Sequence, residues 1–449
     1  MTRPQQPAFG IIGGGLSGSL LAIQLLRRLP PGARVHLMEK RGGFGPGQAY
    51  STSNPHHLLN VAARRMSAFD DSPDDFVAWL DRTGDGTGPD GFVPRSLYGR
   101  YVQQALVRQM SGESGCRNLF LFPDEAVAVR PGPRSVIIRM DCGRDVAVDA
   151  VVLCVGTFTP ETPDVLAPLV GTPRYLGDPW NERRIGTIAA DARVLILGSG
   201  LTMVDLAVCL ARQGHRSPIL ALSRRGLLPH RHSAVPVPPI PWAGDLAPLS
   251  TLLHRIRQDC RGQEWRGVVD GLRPHLSDWW QSFDDETRRR FLRHARPWWD
   301  IHRHRMAPQV AHSIEGLRTD GRLTVLKGRL VAAGEVSGGI AVDYRPRGGD
   351  AIVTVEADCI VNCSGPGSDF TKVGNPLLAQ LLATGQVRPD ALGLGLDVDR
   401  GLHLLDRDGR PQDRLFAMGP VAKGRFWECT AVPEIRRQAV QLAEHLADL

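Results

Sequence analysis

An α/β fold made of two Rossmann-like units, with a helical insertion in the second, is predicted by three observations. Residues 9–40 read as strand, glycine turn, helix and a second strand that ends in an acid. The same order of elements returns at residues 193–225. Short β-rich runs separated by turn residues recur at 118–155 and 323–419, and residues 247–312 carry helical patterning.

In the first unit Phe9–Ile12 is an apolar run of the kind buried in a parallel sheet. It breaks into Gly13-Gly14-Gly15-Leu16-Ser17-Gly18, followed by a helical pattern with apolar Leu20, Leu21, Ile23 and Leu25. Val35–Met38 is the second strand, and Glu39 closes it. This is the context that a dinucleotide fingerprint requires. Gly13 permits the tight turn, Gly15 admits backbone N–H groups to a pyrophosphate, and Gly18 lets helix and strand lie close. The helix N-terminus turns its positive end to the phosphates, and Glu39 is placed to accept a ribose diol. A glycine loop that merely joins buried elements is the rival reading.

The 449 residues are too many for one small core and imply two or three domains. With 42% hydrophobic and 22% charged residues the composition is globular, which argues against wholesale disorder. A net charge of +7 suits anionic ligands. No lysine–arginine block or nucleic-acid motif accompanies it, so no nucleic-acid partner is expected. Cysteines 116, 142, 154, 209, 260, 359, 363 and 429 form neither a zinc pattern nor a CxxC pair, and read as reduced thiols of a cytoplasmic protein. The uncharged residues 8–26 could pass for a signal peptide or membrane span. The glycine cluster, the shortness of the helix and the lack of a cleavage site argue against both, so no membrane partner is expected.

Past Glu39, a glycine-rich loop runs from Arg41 to Tyr50, and His57–Ser67 follows without the cysteine pair of a dithiol reductase. Ser72, Pro73 and Asp75 predict a capping box opening a helix whose body is Phe76–Leu80. Residues 94–110 predict another helix, and strands are expected at Leu119–Phe122, Ala126–Val129, Ser135–Met140 and Val146–Val155. The last ends in Gly156-Thr157, where a chain can pass close to a dinucleotide.

In the second unit Arg193–Leu197 is a strand, Gly198-Ser199-Gly200 a turn, and the helix runs to Arg212 with Gly214 beyond it. The next strand, Ile219–Ser223, ends in Arg224-Arg225. Arginine there accommodates a 2′-phosphate, so NADPH is expected over NADH. Met203 replaces the third glycine, a purely structural unit is the rival reading, and the arginines could be a solvated pair. Residues 226–242 are proline-rich and predict a linker or extended wall. Trp298–Arg305 gathers aromatic and cationic groups, suited either to an anionic substrate or nicotinamide nucleotide, or to packing between domains. Its histidines, two residues apart, do not share a helix face, so no metal is expected. Further strands are predicted at Leu323–Leu326, Leu330–Ala332, Ile340–Tyr344, Ile352–Val355, Ala357–Gly365 and Leu415–Gly419, with a charged turn at Gly401–Pro411 and a terminal helix after Ala431.

Two such units, the second inserted in the first, resemble the flavoproteins with two dinucleotide-binding domains. Four stretches are more specific: GQAYST with HLLNVAARRMS, VLILGSGLTMVDLA with ALSRRGLLPHRH, WWDIHRHRMAP, and LFAMGPVAKGRFWECTAVPEIRRQA. They resemble the bacterial FAD/NAD(P)-binding family whose domain is named after FAD-dependent urate hydroxylase. VPRSLYGRY and the two glycine motifs are more distantly similar to class B and N-hydroxylating flavin monooxygenases, and Thr202 with Asp205 to their GxGxSAxE/D pattern. At Tyr175–Trp180 the histidine of the flavin-containing monooxygenase fingerprint is missing, and Gly419-Pro420 stands where reductases have Gly-Asp.

The resemblance implies an FAD domain in residues 1–160 and 370–449, and an NADPH domain in residues 161–369 with the insertion at about 230–312. On the FAD side it implies Gly13, Gly15, Ser17, Gly18, Glu39 and Lys40, then Gln48, Asn60, Met66 and Val127, then Gly156, Gly419, Thr430 and Ala431. On the NADPH side it implies Gly198, Ser199, Gly200, Thr202, Arg224 and Arg225. Substrate candidates are Arg95, Trp299, His302, Arg303 and Arg305, and no residue is singled out as catalytic. The implied activity is monooxygenation of a small polar substrate with O2 through a C4a-(hydro)peroxyflavin, N-hydroxylation of an amino compound being one form. A flavoprotein reductase without oxygen insertion and a non-catalytic nucleotide sensor are the rivals.

Overall fold

Strands with uninterrupted apolar runs align in parallel where both faces of a sheet are buried. In the computed structural model, which describes residues 6–110 and 118–449, this happens twice. The first crossover is β1 (Ala8–Ile12), α1 (Leu16–Arg28) and β2 (Arg34–Met38). It continues through α2 (Gly47–Tyr50), α3 (Asp75–Thr83) and α4 (Arg95–Met110) to β3 (Leu119–Phe122), which pairs with β2. β4 (Ala126–Pro131), β5 (Val136–Met140) and β6 (Asp145–Val148) make a separate antiparallel sheet before β7 (Ala150–Leu153) returns beside β1.

The second unit comprises β8 (Tyr175–Leu176), α5 (Glu182–Ile185), β9 (Val194–Leu197), α6 (Leu201–Arg212) and β10 (Ile219–Ser223). The insertion that follows contains α7 (Leu249–Gly262), α8 (Trp265–Gly271), α9 (Leu276–Ser282), α10 (Asp285–Arg290) and α11 (Arg296–Arg303), after which α12 (Pro308–Thr319) returns to pack on α6. β11 (Leu323–Val336), β12 (Gly339–Pro346), β13 (Val353–Ala357) and β14 (Cys359–Asn362) complete a sheet of order β13-β12-β11-β10-β9-β14-β8. After α13 (Pro376–Thr384), β15 (His403–Leu405) and β16 (Pro411–Ala417) rejoin the first sheet, of order β15-β16-β7-β1-β2-β3. The terminal helix is α14 (Val432–Ala447), which packs on α1.

Leu16 through Leu25 are buried without exception, because α1 is enclosed by the sheet, α4 and α14. Among the described residues, no helix is long and apolar enough to cross a membrane. No group of three or more His, Cys, Asp or Glu among them could hold a metal. The described cysteines are free, and Cys116 lies outside the described residues.

Several expected boundaries are corrected. The single strand expected over Val146–Val155 is two strands in different sheets, broken at Asp149. The Asp149 carboxylate accepts the Ala8 N–H at 2.7 Å, and its own N–H donates to the Ala8 carbonyl at 2.6 Å. Asp358 repeats the device on Arg193, its carboxylate accepting the N–H at 2.7 Å, and so shortens the expected strand Ala357–Gly365 to β14. The runs Leu323–Leu326 and Leu330–Ala332 are one strand, parallel to β10 at its start and antiparallel to β12 beyond, with a bulge between Leu330 and Ala332. Part of the expected turn at Gly401–Pro411 is β15.

The capping box does not form. Asp74 is the N-cap of α3 without a side-chain bond, and the Asp75 carboxylate accepts instead from Tyr101 Oη and Arg108. Both partners come from α4, so tertiary bonding wins over the local cap.

Because Asp149 fixes the first residue of β1, Asp149→Ala should destabilise the protein by about 1–3 kcal/mol, the cost of leaving a buried N–H unpaired. Chemical denaturation measures this, and an unchanged midpoint would contradict the pinning role.

Candidate functional site: two nucleotide cradles and their junction

The turn after β1 is set by a close backbone approach. Gly13 has φ +107°, and a Cβ there would strike the carbonyl oxygen of Cys154, just past β7. Gly18, in the first turn of α1, lies against the Gly13 carbonyl, so it serves helix packing and does not line the cavity. Glu39 holds the loop with both oxygens, accepting Gly14 N–H at 2.9 Å and Arg41 N–H at 3.0 Å.

A cavity of about 570 Å³ runs along this edge of the sheet, within the size range of cofactor sites. Gly13, Gly15, Ser17, Glu39, Lys40, Gln48, Gly156 and Thr430 all line it. Val127 and Ala431 are chain neighbours of the lining residues Ala126 and Thr430, and Ala431 is the N-cap of α14. Gly419 backs onto the Ser17 hydroxyl and donates its N–H to Gln438 Oε1 at 3.0 Å. Asn60 and Met66 stand apart: Met66 is buried in the core, and the Asn60 carbonyl is bonded to His232 Nε2 at 3.0 Å. Lys40 is paired with Glu125 at 3.2 Å.

The second turn reproduces the first. Gly198 has φ +101° and abuts the carbonyl of Cys363, past the end of β14. Gly200 caps α6, and a Cβ there would meet no atom within 4 Å, leaving the helix N-terminus open. Met203, in place of the third glycine, is fully buried. The Ser199 hydroxyl is taken by Ser223 Oγ at 2.8 Å and the Leu227 carbonyl at 2.6 Å, so it braces the loop. Arg224 is exposed and joins no salt bridge among the described residues. Arg225 donates to the Arg293 carbonyl at 3.1 Å, and burial together with nearby Arg347 and Arg224 lowers its pKa. The end of β10 thus carries cations that lack anionic partners.

The two units meet at a second cavity, of about 460 Å³, lined on one side by Ser53–His57 and on the other by Thr202, Asp205 and Cys209 of α6. Arg95 does not stand free as a substrate group. Its Nη2 donates to Asp205 Oδ2 at 2.7 Å, its Nε to the Leu58 carbonyl at 3.1 Å, and its guanidinium lies 5.4 Å from the Trp180 ring centre. Glu182 accepts from Thr52 Oγ1 at 2.6 Å and from Ser53 N at 2.8 Å. Asn54 Nδ2 donates to Cys209 Sγ at 3.0 Å.

The other substrate candidates are divided among separate contacts. Trp299 Nε1 donates to Glu428 Oε1 at 2.9 Å, and Arg303 Nε lies 3.3 Å from Glu428 Oε2. Arg305 binds Asp270 at 2.5 Å, and both are buried. His302 packs against His230 and Trp265, with ring centres 4.5 and 5.0 Å away. Trp299 and Arg303 thus join the insertion to the segment beside Thr430, while Arg305 and His302 pack within the insertion. Asp270, Glu428, His57 and Glu182 were not singled out by sequence reasoning, because an isolated acid or histidine carries no local pattern.

Burial, then the Arg95 charge, pushes the pKa of His57 from 6.5 down to about 4. The unfolded chain takes up this proton at higher pH than the fold, so the stability tied to it is complete above about 6.5 and is lost as pH falls towards 4. Asp205 acts in the opposite sense, since burial raises it to about 6 against the pull of Arg95 and the fold keeps its proton longer. His57→Gln should therefore flatten the acid-side fall of Tm between pH 6.5 and 4. Equal slopes for the variant and the wild type would contradict a neutral buried His57.

Among solved structures, the ornithine N-hydroxylase of Kutzneria sp. 744, whose structure holds reduced FAD, NADP+ and L-ornithine, is 16% identical with a TM-score of 0.69, covering 99% of each chain. The FAD-bound cadaverine monooxygenase of Erwinia amylovora is 14% identical with a TM-score of 0.68, over 100% of this chain and 95% of that one. The ornithine hydroxylase of Pseudomonas aeruginosa is 16% identical with a TM-score of 0.67, over 99% of each. At such identities the likeness concerns the fold, two Rossmann-like units in one chain. No curated protein matches in sequence. Residues 10–158, within the first unit, match the model of an FAD-NAD(P)-binding family.

Proposed function

We propose that the chain is an FAD- and NADPH-dependent monooxygenase acting on a small polar substrate with O2, N-hydroxylation of an amino group being the form its structural neighbours suggest. The observation that carries this reading is the pair of equivalent cradles, one followed by Glu39 and the other by unpaired Arg224. An acid at the first position suits a free ribose diol, and arginine at the second suits a 2′-phosphate.

The first cradle fits an adenine dinucleotide on its own geometry. Its cavity is lined by Gly13, Gly15 and Ser17 at the N-terminus of α1, and by Glu39 at the ribose position. Bound flavin would supply hydride acceptance and oxygen activation. The residues' share is binding, orientation and exclusion of water. Backbone N–H groups at Gly15 and Ser17 would meet the pyrophosphate, and the N-terminus of α14 would present its positive end to the polar edge of the ring system. Arg224 would hold the 2′-phosphate of NADPH, with Gly200 and Thr202 at its pyrophosphate. Buried Trp427 and the Trp299–Glu428–Arg303 contact back the segment that leads to Thr430. Residues 41–67 contain no cysteine, so a dithiol relay lacks its thiols.

Anaerobic mixing of the FAD-loaded protein with NADPH should bleach the flavin, with NADH at least about tenfold less effective, as one or two charge-assisted hydrogen bonds to a phosphate would give. Arg224→Ala should remove most of that preference. Bleaching that is equal with both nucleotides, or absent, would contradict the reading. Aerobic turnover with L-ornithine, L-lysine or cadaverine that yields an oxygenated product would separate a monooxygenase from a reductase releasing only peroxide.

A further inference from the structure

The arginines on the outer side of the α14 N-terminus belong to neither cradle. A cleft of about 520 Å³ opens there, between the turn Ala63–Arg65, the proline-rich segment around Trp242, the turn Arg273–His275 and the start of α14. It adjoins the first cavity through one helix end. Thr430 and Ile435 line that cavity, whereas Pro433, Glu434 and Arg437 line the cleft.

Most cations around the cleft have partners. Arg64 is paired with Asp90, Arg273 with Glu434 at 2.8 Å, and Arg436 with Asp70 at 3.1 Å. Two differ. Arg65 makes only a long ion pair, 3.6 Å from Asp270 Oδ2 and outside hydrogen-bond reach, while Arg305 holds Oδ1 of the same carboxylate at 2.5 Å. Arg437 is exposed and joins no salt bridge among the described residues. Behind the cleft lining, the Nε of Arg305, a side chain only 3% exposed, finds no acceptor among the described residues, and the buried Oε2 of Glu434 finds no donor among them. Here two guanidiniums with unfilled donors face a concave site walled by prolines and Trp242.

Guanidinium pairs recognise carboxylates through parallel, charge-assisted hydrogen bonds. We propose that this cleft is the substrate site of the enzyme proposed above, and that it takes a small carboxylate held by Arg65 and Arg437. The other end of the substrate lies along the α14 N-terminus, toward the first cavity. The inference rests on the functional reading for its flavin and adds to it the class of substrate and the residues that select it. The anchoring role shifts from Arg95 and the His302–Arg305 cluster, whose cationic groups are bound within the fold, to Arg437, which joins no salt bridge among the described residues, and Arg65, whose ion pair is long.

The test uses the FAD-loaded protein with L-lysine, glutarate and cadaverine as probes, since L-lysine and cadaverine differ only by a carboxylate. Binding is read from the visible spectrum of the flavin, and occupancy from protection of Arg437 against phenylglyoxal, mapped by peptide mass. L-lysine or glutarate should perturb the flavin and protect Arg437, and cadaverine should do neither. Arg437→Ala should weaken the response at least about tenfold, the loss expected for a hydrogen bond to a charged group, with partial recovery in Arg437→Lys. Protection in the wild type does not depend on the variants folding. Equal effects of cadaverine and L-lysine, or no protection by either carboxylate while NADPH still bleaches the flavin, would overturn the cleft and leave the enzyme standing. Flavin that NADPH cannot bleach would overturn both.

Discussion

In each Rossmann-like unit a glycine of positive φ rests on the carbonyl oxygen of a cysteine at the end of the neighbouring strand, Gly13 on Cys154 and Gly198 on Cys363. Only a residue without a Cβ allows that approach. It brings the two strand ends together and turns the chain outward at the carboxyl edge of the sheet. The N–H groups at the start of α1 and α6 then face open space, and negative charge is favoured there. Everything read as cofactor binding follows from this backbone contact, made twice. The aspartates that break the strands before β7 and β14 belong to the same geometry, because Asp149 and Asp358 set the register that brings each cysteine opposite its glycine.

The junction between the units is polar and closely paired. Arg95 crosses from α4 to Asp205 on α6, and Glu182 and Cys209 receive donors from residues 52–54. Buried ion pairs are poor sources of net stability, since desolvation offsets their attraction. What this network supplies is a preferred geometry. A slip of α6 against the first unit would part Arg95 from Asp205 and leave buried charge unpaired. That requirement gives Arg95 a structural reason to exist, independent of any substrate.

The fold was legible wherever a physical demand is local. Strand β1, the glycine turn, α1 and Glu39 are specified by adjacent residues, and so are β9, α6 and β10. Breaks such as Asp149, and the loss of the expected cap at Ser72, depend on partners far along the chain, so no window of sequence contains them. The helix Pro376–Thr384, absent from the expected elements, carries local signals: Asn375 Oδ1 accepts the Leu378 N–H at 3.0 Å, and Gly385 follows at φ +73°. At the candidate site the glycines and Glu39 carried their own pattern. The pairing of Arg303 with Glu428 and of Arg305 with Asp270 did not, because ion pairs between distant segments leave no periodicity. For the same reason the Trp298–Arg305 cluster looked equally suited to a ligand and to packing.

Because the account begins with the amino-terminal cradle, its most direct test is a crystal structure of the protein soaked or co-crystallised with FAD. The account predicts one FAD per chain, its pyrophosphate at Gly13–Ser17, its adenosine ribose on Glu39, and its ring system beside Thr430 and the N-terminus of α14. Protein that stays colourless after incubation with FAD, or a structure in which the dinucleotide lies elsewhere, would contradict it.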